Sequence, residues 1–211
     1  NSPRRQRQMC IRDSDNCIII NPNNKLRKKI AFFGDSHILA MMNSQRLFYE
    51  KDFDIIHYSF SSCPSPQPKN GLRGKECNRF NSQAGEVILS KLNKNDFIII
   101  NNYHLSHLGD NSLRDIRHNF YDAKRSLPSN GDEKLELYVE GLINFAKKAE
   151  SKSIKIIFIG STMRNNLLQI SSKEWFRPFP TNQWVYDDEL ANATALNNKL
   201  EEKIKNINNI M

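Results

Sequence analysis

Four residues, Gly34-Asp35-Ser36-His37, stand where an apolar run (28–34) gives way to apolar residues at helical spacing. A serine on such a corner has two uses. It can cap the helix, which contributes about 1 kcal/mol. It can also attack a carbonyl, because the unpaired N–H groups of a helix start help hold the developing oxyanion. Gly34 permits the sharp turn, and Asp35 is placed to bond the turn backbone or, on a competing reading, to accept a phosphoryl group. His37 adjoins Ser36, and neighbouring side chains at a helix start diverge, so His37 orders or lines the site better than it deprotonates Ser36. His104 and His107 are further candidates for a base, which needs to come within about 3 Å of the hydroxyl. His57 reads as a packed histidine inside a strand.

The elements that must position these residues are legible from periodicity. Strand-like runs occupy 28–34, 53–60, 96–101 and 154–160. Three of them are nearly continuous apolar segments, as suits strands buried on both faces. Helical patterns lie between and after them: Ile38 to Phe48, 82–92, Leu135 to Ala149, and about 187–205. Alternating strand and helix predicts a parallel sheet covered on both faces. The irregular segments 61–81, 102–133 and 161–186 all follow strand ends, where open α/β sheets bind ligands. The last carries Trp175, Arg177 and Trp184, which could line a pocket for a sugar ring or pin the loop by aromatic burial. Asp187 and Asp188 read as a helix start, where acids complement the dipole.

The 211 residues fit one α/β domain. No run of 18 apolar residues is present, so nothing in the sequence reads as a membrane span. The start has neither a methionine nor an apolar signal core. The net charge is +8, and residues 1–14 hold four arginines against one aspartate. This stretch has no periodicity and reads as a non-native or disordered arm, with the domain at 15–211; the competing reading is a basic arm for nucleic acid or a membrane surface. The remaining positive charge is scattered among lysines, and no nucleic-acid partner is expected. No CxxC and no zinc-like spacing occur, so no metal or organic cofactor is expected. Cys63 and Cys77 bracket a loop rich in Pro, Gly and Lys, which suits a disulfide and an oxidising compartment. Two unrelated free thiols in a cytosolic protein are the alternative.

An apolar strand ending in Gly-Asp-Ser-His resembles the first block of the SGNH hydrolase superfamily. Within it, the chain is most similar to the extracytoplasmic SGNH domain that follows an integral-membrane acyltransferase-3 domain in bacterial O-acyltransferases. "SSCPSP" and "KEC" match that group's Cys-Pro loop at Cys63 and its later cysteine at Cys77, and the likeness spans 15–211. The resemblance implies a three-layer sandwich on a parallel, flavodoxin-like sheet. It implies an acyl-Ser36 intermediate, with oxyanion donors from the Ser36 N–H, from Ser61 or Ser62 where the family usually has a glycine, and from Asn102, with Asn101 the alternative. Turn-forming asparagines are the competing reading for those two. The family's Asp-x-x-His near the C-terminus has no counterpart, since all five histidines lie at or before His118. The expectation is therefore a chain truncated at both ends, with the last strand and that loop beyond Met211 and little turnover by itself. The implied partners are a glycan hydroxyl as acceptor (cell-surface polysaccharide, lipopolysaccharide or peptidoglycan) and an acyl donor delivered by an N-terminal membrane domain, on the periplasmic side. The competing functions are a non-catalytic glycan-binding module and a nucleotide-binding or signalling domain. Against the last, there is no Gly-rich phosphate loop.

Overall fold

Continuous apolar strands need cover on both faces, and alternation along each strand distributes that cover. In the computed structural model, which describes residues 8–11, 16–19, 27–66, 75–102, 104–108, 131–160 and 183–211, β3 (Lys28–Gly34) sends Ala31 and Phe33 to one face and Ile30 and Phe32 to the other. Its neighbours, β4 (Phe53–Ser59) and β5 (Phe97–Asn101), divide their side chains in the same way. With β6 (Lys155–Ile159) they make four parallel strands in the order β4-β3-β5-β6.

The smaller apolar layer lies under α1 (Ser36–Ala40) and α2 (Met42–Glu50), where Ile38, Met41 and Phe48 meet Phe32, Ile55 and Ile99. The larger layer lies under α3 (Lys75–Lys91), α5 (Gly131–Glu150) and α6 (Gln183–Ile204), a fourth helix, α4 (His104–Leu108), being only five residues long. The expected apolar stripe of α5 is buried: Leu135, Tyr138, Val139, Leu142, Ala146 and Ala149 all face the sheet. This is the three-layer, flavodoxin-like arrangement that the sequence predicts.

The connection from β3 to β4 runs over one face through α2, and the return from β4 to β5 runs over the other through α3. The chain therefore parts in opposite directions at the carboxyl end of β3. In open α/β sheets that divergence opens the crevice where ligands bind, and Ser36 stands on it.

Two boundaries differ from the sequence expectation. Gln8–Ile11, placed above in the arm of residues 1–14, forms β1, antiparallel to β2 (Asn16–Ile19), which in turn pairs antiparallel with the edge of β4. A four-residue edge strand has too little pattern to detect by itself; the ladder supplied by its neighbours outweighs weak local preference. At the other end, Asn209–Met211 already lie along β6. Ile210 bridges Ile156 in parallel, and the Met211 N–H donates to the Ile156 carbonyl at 2.9 Å. No helix among the described residues is long and apolar enough to cross a membrane.

Candidate active site

Gly34 ends β3 in register with Ser59 of β4 and Asn101 of β5. A Cβ there would sit 1.9 Å from the Asn101 carbonyl oxygen, so the two strands approach too closely for any side chain. The Phe60 N–H donates to the Gly34 carbonyl at 3.2 Å, drawing the chain after β4 to the same point. Three strand ends thus converge two residues before the serine.

Asp35, not Ser36, caps α1. Its Oδ1 accepts the His37 N–H at 2.7 Å, its backbone is extended, and Ser36 is the first helical residue. The capping explanation for the serine is thereby removed. Ser36 is exposed, and among the described residues no group hydrogen-bonds its hydroxyl. As first residue of a helix its N–H is one of the donors that the helix leaves unpaired.

The carboxylate of Asp35 is 1% exposed. Burial by itself would raise its pKa. Hydrogen bonds from His107 Nε2 at 2.7 Å and from His37, with the charge of His107, outweigh burial and hold it well below 3.8. A buried, doubly bonded carboxylate is not accessible as a phospho-acceptor, so the signalling role considered for Asp35 is set aside. The sign of the pH effect follows. Asp35 stabilises the fold above pH 3.8, and this contribution is lost as the pH falls further and the carboxylate protonates. Thermal melts are expected to drop below about pH 4, and Asp35→Asn to flatten that part of the profile.

After β4, Phe60 to Cys63 form a turn closed by the Cys63 N–H on the Phe60 carbonyl at 3.0 Å. Ser62 has φ 59°, the left-handed conformation that glycine adopts without strain. The sequence has no glycine here, and Ser62 itself adopts this conformation. Among the described residues, nothing accepts the N–H of Ser61 or Ser62. Ser62→Gly is expected to raise stability by roughly 0.5 kcal/mol, read from the urea midpoint.

The two asparagines separate because a strand alternates its faces. Asn102 points to the α5 side. Its Nδ2 donates to the Ser65 carbonyl at 2.8 Å and to the Tyr138 hydroxyl at 3.0 Å, while its Oδ1 accepts the Ser65 N–H at 3.0 Å. That side chain is fully engaged and 0% exposed. Asn102, the favoured oxyanion donor from sequence, is corrected to a brace for the Cys63–Cys77 loop. Asn101 lies on the α1 side, its Nδ2 3.5 Å from Met41 Sδ and its buried Oδ1 without a hydrogen bond among the described residues.

Cys63 and Cys77 form a disulfide, and Asn81 Nδ2 donates to the Pro64 and Cys77 carbonyls beside it. His104, a candidate base from sequence, is fully buried, with Nε2 3.2 Å from the Tyr138 hydroxyl and its ring against Phe158. Burial pushes its pKa down to about 3, which keeps it neutral. Burial likewise pushes the Tyr138 hydroxyl upward. His57 is the packed histidine expected, with Nε2 2.9 Å from Ser59 Oγ and Nδ1 against the Gln45 amide. His37 Nδ1 is 3.5 Å from Asp35 Oδ1. Trp175, Arg177 and the side chain of Trp184 lie outside the described residues. Phe60, which no sequence signal singled out, is 38% exposed and stacks on Phe80 with ring centroids 5.3 Å apart. Among the described residues no cluster of His, Cys, Asp and Glu could hold a metal ion.

An exposed serine thus starts a helix at the switch point of a parallel sheet. A family model described as "SGNH domain (fused to AT3 domains)" matches residues 4–209, and the chain belongs to that family. The family is generally hydrolytic or esterase-like, which indicates a hydrolase or acyltransferase type of activity. The match begins within the first fourteen residues, in keeping with β1. No curated protein matches the chain.

Proposed function

We propose that this domain transfers acyl groups to glycan hydroxyls through an ester on Ser36. Ser36 Oγ attacks the carbonyl carbon of an acyl donor; the donor's leaving group departs with a proton, leaving acyl-Ser36. A glycan hydroxyl then attacks the same carbon, its proton passes to Ser36 Oγ, and the serine is released as its hydroxyl; water in place of the glycan gives hydrolysis. The N–H groups of Ser36 and of Ser61 or Ser62, with the Asn101 amide, hold the oxyanion. The observation that carries this reading is the division of labour at the corner: Asp35 caps, while Ser36 is exposed and its hydroxyl is uncommitted among the described residues.

The described histidines are engaged elsewhere, and none hydrogen-bonds Ser36. The base is therefore assigned to residues outside the described set. Phe60, partly exposed beside the Ser61–Ser62 turn, supports a sugar ring as acceptor, because aromatic rings pack on carbohydrate C–H surfaces. The family's fusion to AT3 domains supports an integral-membrane acyltransferase partner in the same polypeptide and an extracytoplasmic position for this domain. The disulfide supports the same compartment.

The test is transfer by the full-length protein from a chromogenic acyl ester to purified surface polysaccharide, read as new O-acyl signals by NMR. Glycan binding without acylation would favour the non-catalytic module. A substitution pair separates the asparagines. Asn101→Ala is expected to lower kcat about 100-fold with little change in melting temperature. Asn102→Ala is expected to cost about 2 kcal/mol of stability, because the Ser65 groups and the Tyr138 hydroxyl lose their partner.

A further inference from the structure

The geometry assigns His107 a role that rests on the reading of Ser36 as nucleophile: it is the positioning residue that holds the Asp35 carboxylate in its capping orientation and so keeps Ser36 presented. A helix cap is ordinarily wet, and a solvated carboxylate needs no further partner. This one is 1% exposed, and a buried carboxylate is costly unless each oxygen is bonded. Oδ1 takes the His37 N–H and Oδ2 takes His107 Nε2, both at 2.7 Å. Without His107, Oδ2 loses its 2.7 Å bond, and a carboxylate held less firmly weakens the bond to the His37 amide that starts α1.

The source of His107 explains how it is held. His104 and His107 lie three apart on α4, a spacing that puts both rings on one face. His104 is wedged between Tyr138 and Phe158, with ring centroids 5.4 and 5.1 Å away. That wedge fixes the short helix and delivers His107, 7% exposed, onto Asp35. Tyr138 also binds Asn102, which braces Ser65. The polar groups from the disulfide loop to the serine corner thus meet on one tyrosine and one short helix. A residue that merely packed the core would stabilise the fold without affecting the corner more than the rest.

The test compares His107→Leu, which removes the donor, with His107→Gln, whose amide N–H can occupy the position of Nε2. In the full-length protein, under conditions where melts show each variant folded, two quantities are read. They are the rate of Ser36 labelling by a fluorophosphonate and the hydrogen-exchange protection of the His37 amide. His107→Leu is expected to slow labelling about tenfold or more and to reduce His37 protection, and His107→Gln to restore both. If the Leu variant does not fold, His107→Asn takes its place; its amide is one bond shorter, does not reach Asp35, and is expected to show the same losses. Wild-type labelling and wild-type His37 protection in a folded Leu or Asn variant overturn the assignment. If the wild-type protein is not labelled at all, but His37 protection falls in the Leu variant and returns in the Gln variant, the nucleophile reading fails and the positioning role stands.

Discussion

Ser36→Ala is expected to reduce acyl turnover by the full-length protein about ten-thousandfold while leaving its melting temperature unchanged. Both halves follow from the corner. The hydroxyl is exposed and bonds nothing among the described residues, so its removal breaks no structural contact. Were Ser36 the cap, the same substitution would cost about 1 kcal/mol. The cap is Asp35, whose bond to the His37 N–H is untouched. Steady-state hydrolysis of a chromogenic acetyl ester, with a melt on the same sample, measures the two effects together. Retained turnover would remove Ser36 from the chemistry. Lost stability would return it to capping.

Gly34→Ala is the second large effect, and it acts on the fold. The added methyl would lie 1.9 Å from the Asn101 oxygen, 3.0 Å from the Asn101 carbonyl carbon and 3.2 Å from Ile38 Cβ. The first two are backbone atoms of the adjacent strand and cannot rotate away. The β3–β5 ladder must open at its carboxyl end, which moves Asn101 away from the corner. A loss of about 3 kcal/mol is expected, read as a lower urea midpoint, together with loss of Ser36 labelling. An unchanged midpoint would mean that the strand ends are further apart than described.

Much of the architecture was readable because buried parallel strands leave a strong signature. The runs "IAFF", "FIII" and "KIIFI" need cover on both faces, and the α5 stripe provides it at the right period. The disulfide was readable because two cysteines bracket a stretch rich in Pro, Gly and Lys. The edge hairpin was not readable, because β1 owes its form to a ladder partner and its own four residues carry no pattern. At the site, "NN" gave no basis for choosing one amide. The choice depends on which strand face meets Tyr138 and which meets Met41, and that follows from register. From sequence, His107 reads only as a candidate base. Its partner, Asp35, is 72 residues away in sequence and adjacent only after β3 and β5 pair. The left-handed turn at Ser62 was not readable either, because a serine carries no signal for that conformation.

The central claim is that Ser36 Oγ forms the covalent bond to the acyl group. Its most direct measurement is mass spectrometry of peptides from the full-length protein, acid-quenched during reaction with an activated acetyl ester. A single acetyl group, mapped to the peptide carrying Ser36 and absent from Ser36→Ala, is the predicted result. Acetylation confined to other side chains, with product formed at the normal rate, would contradict it.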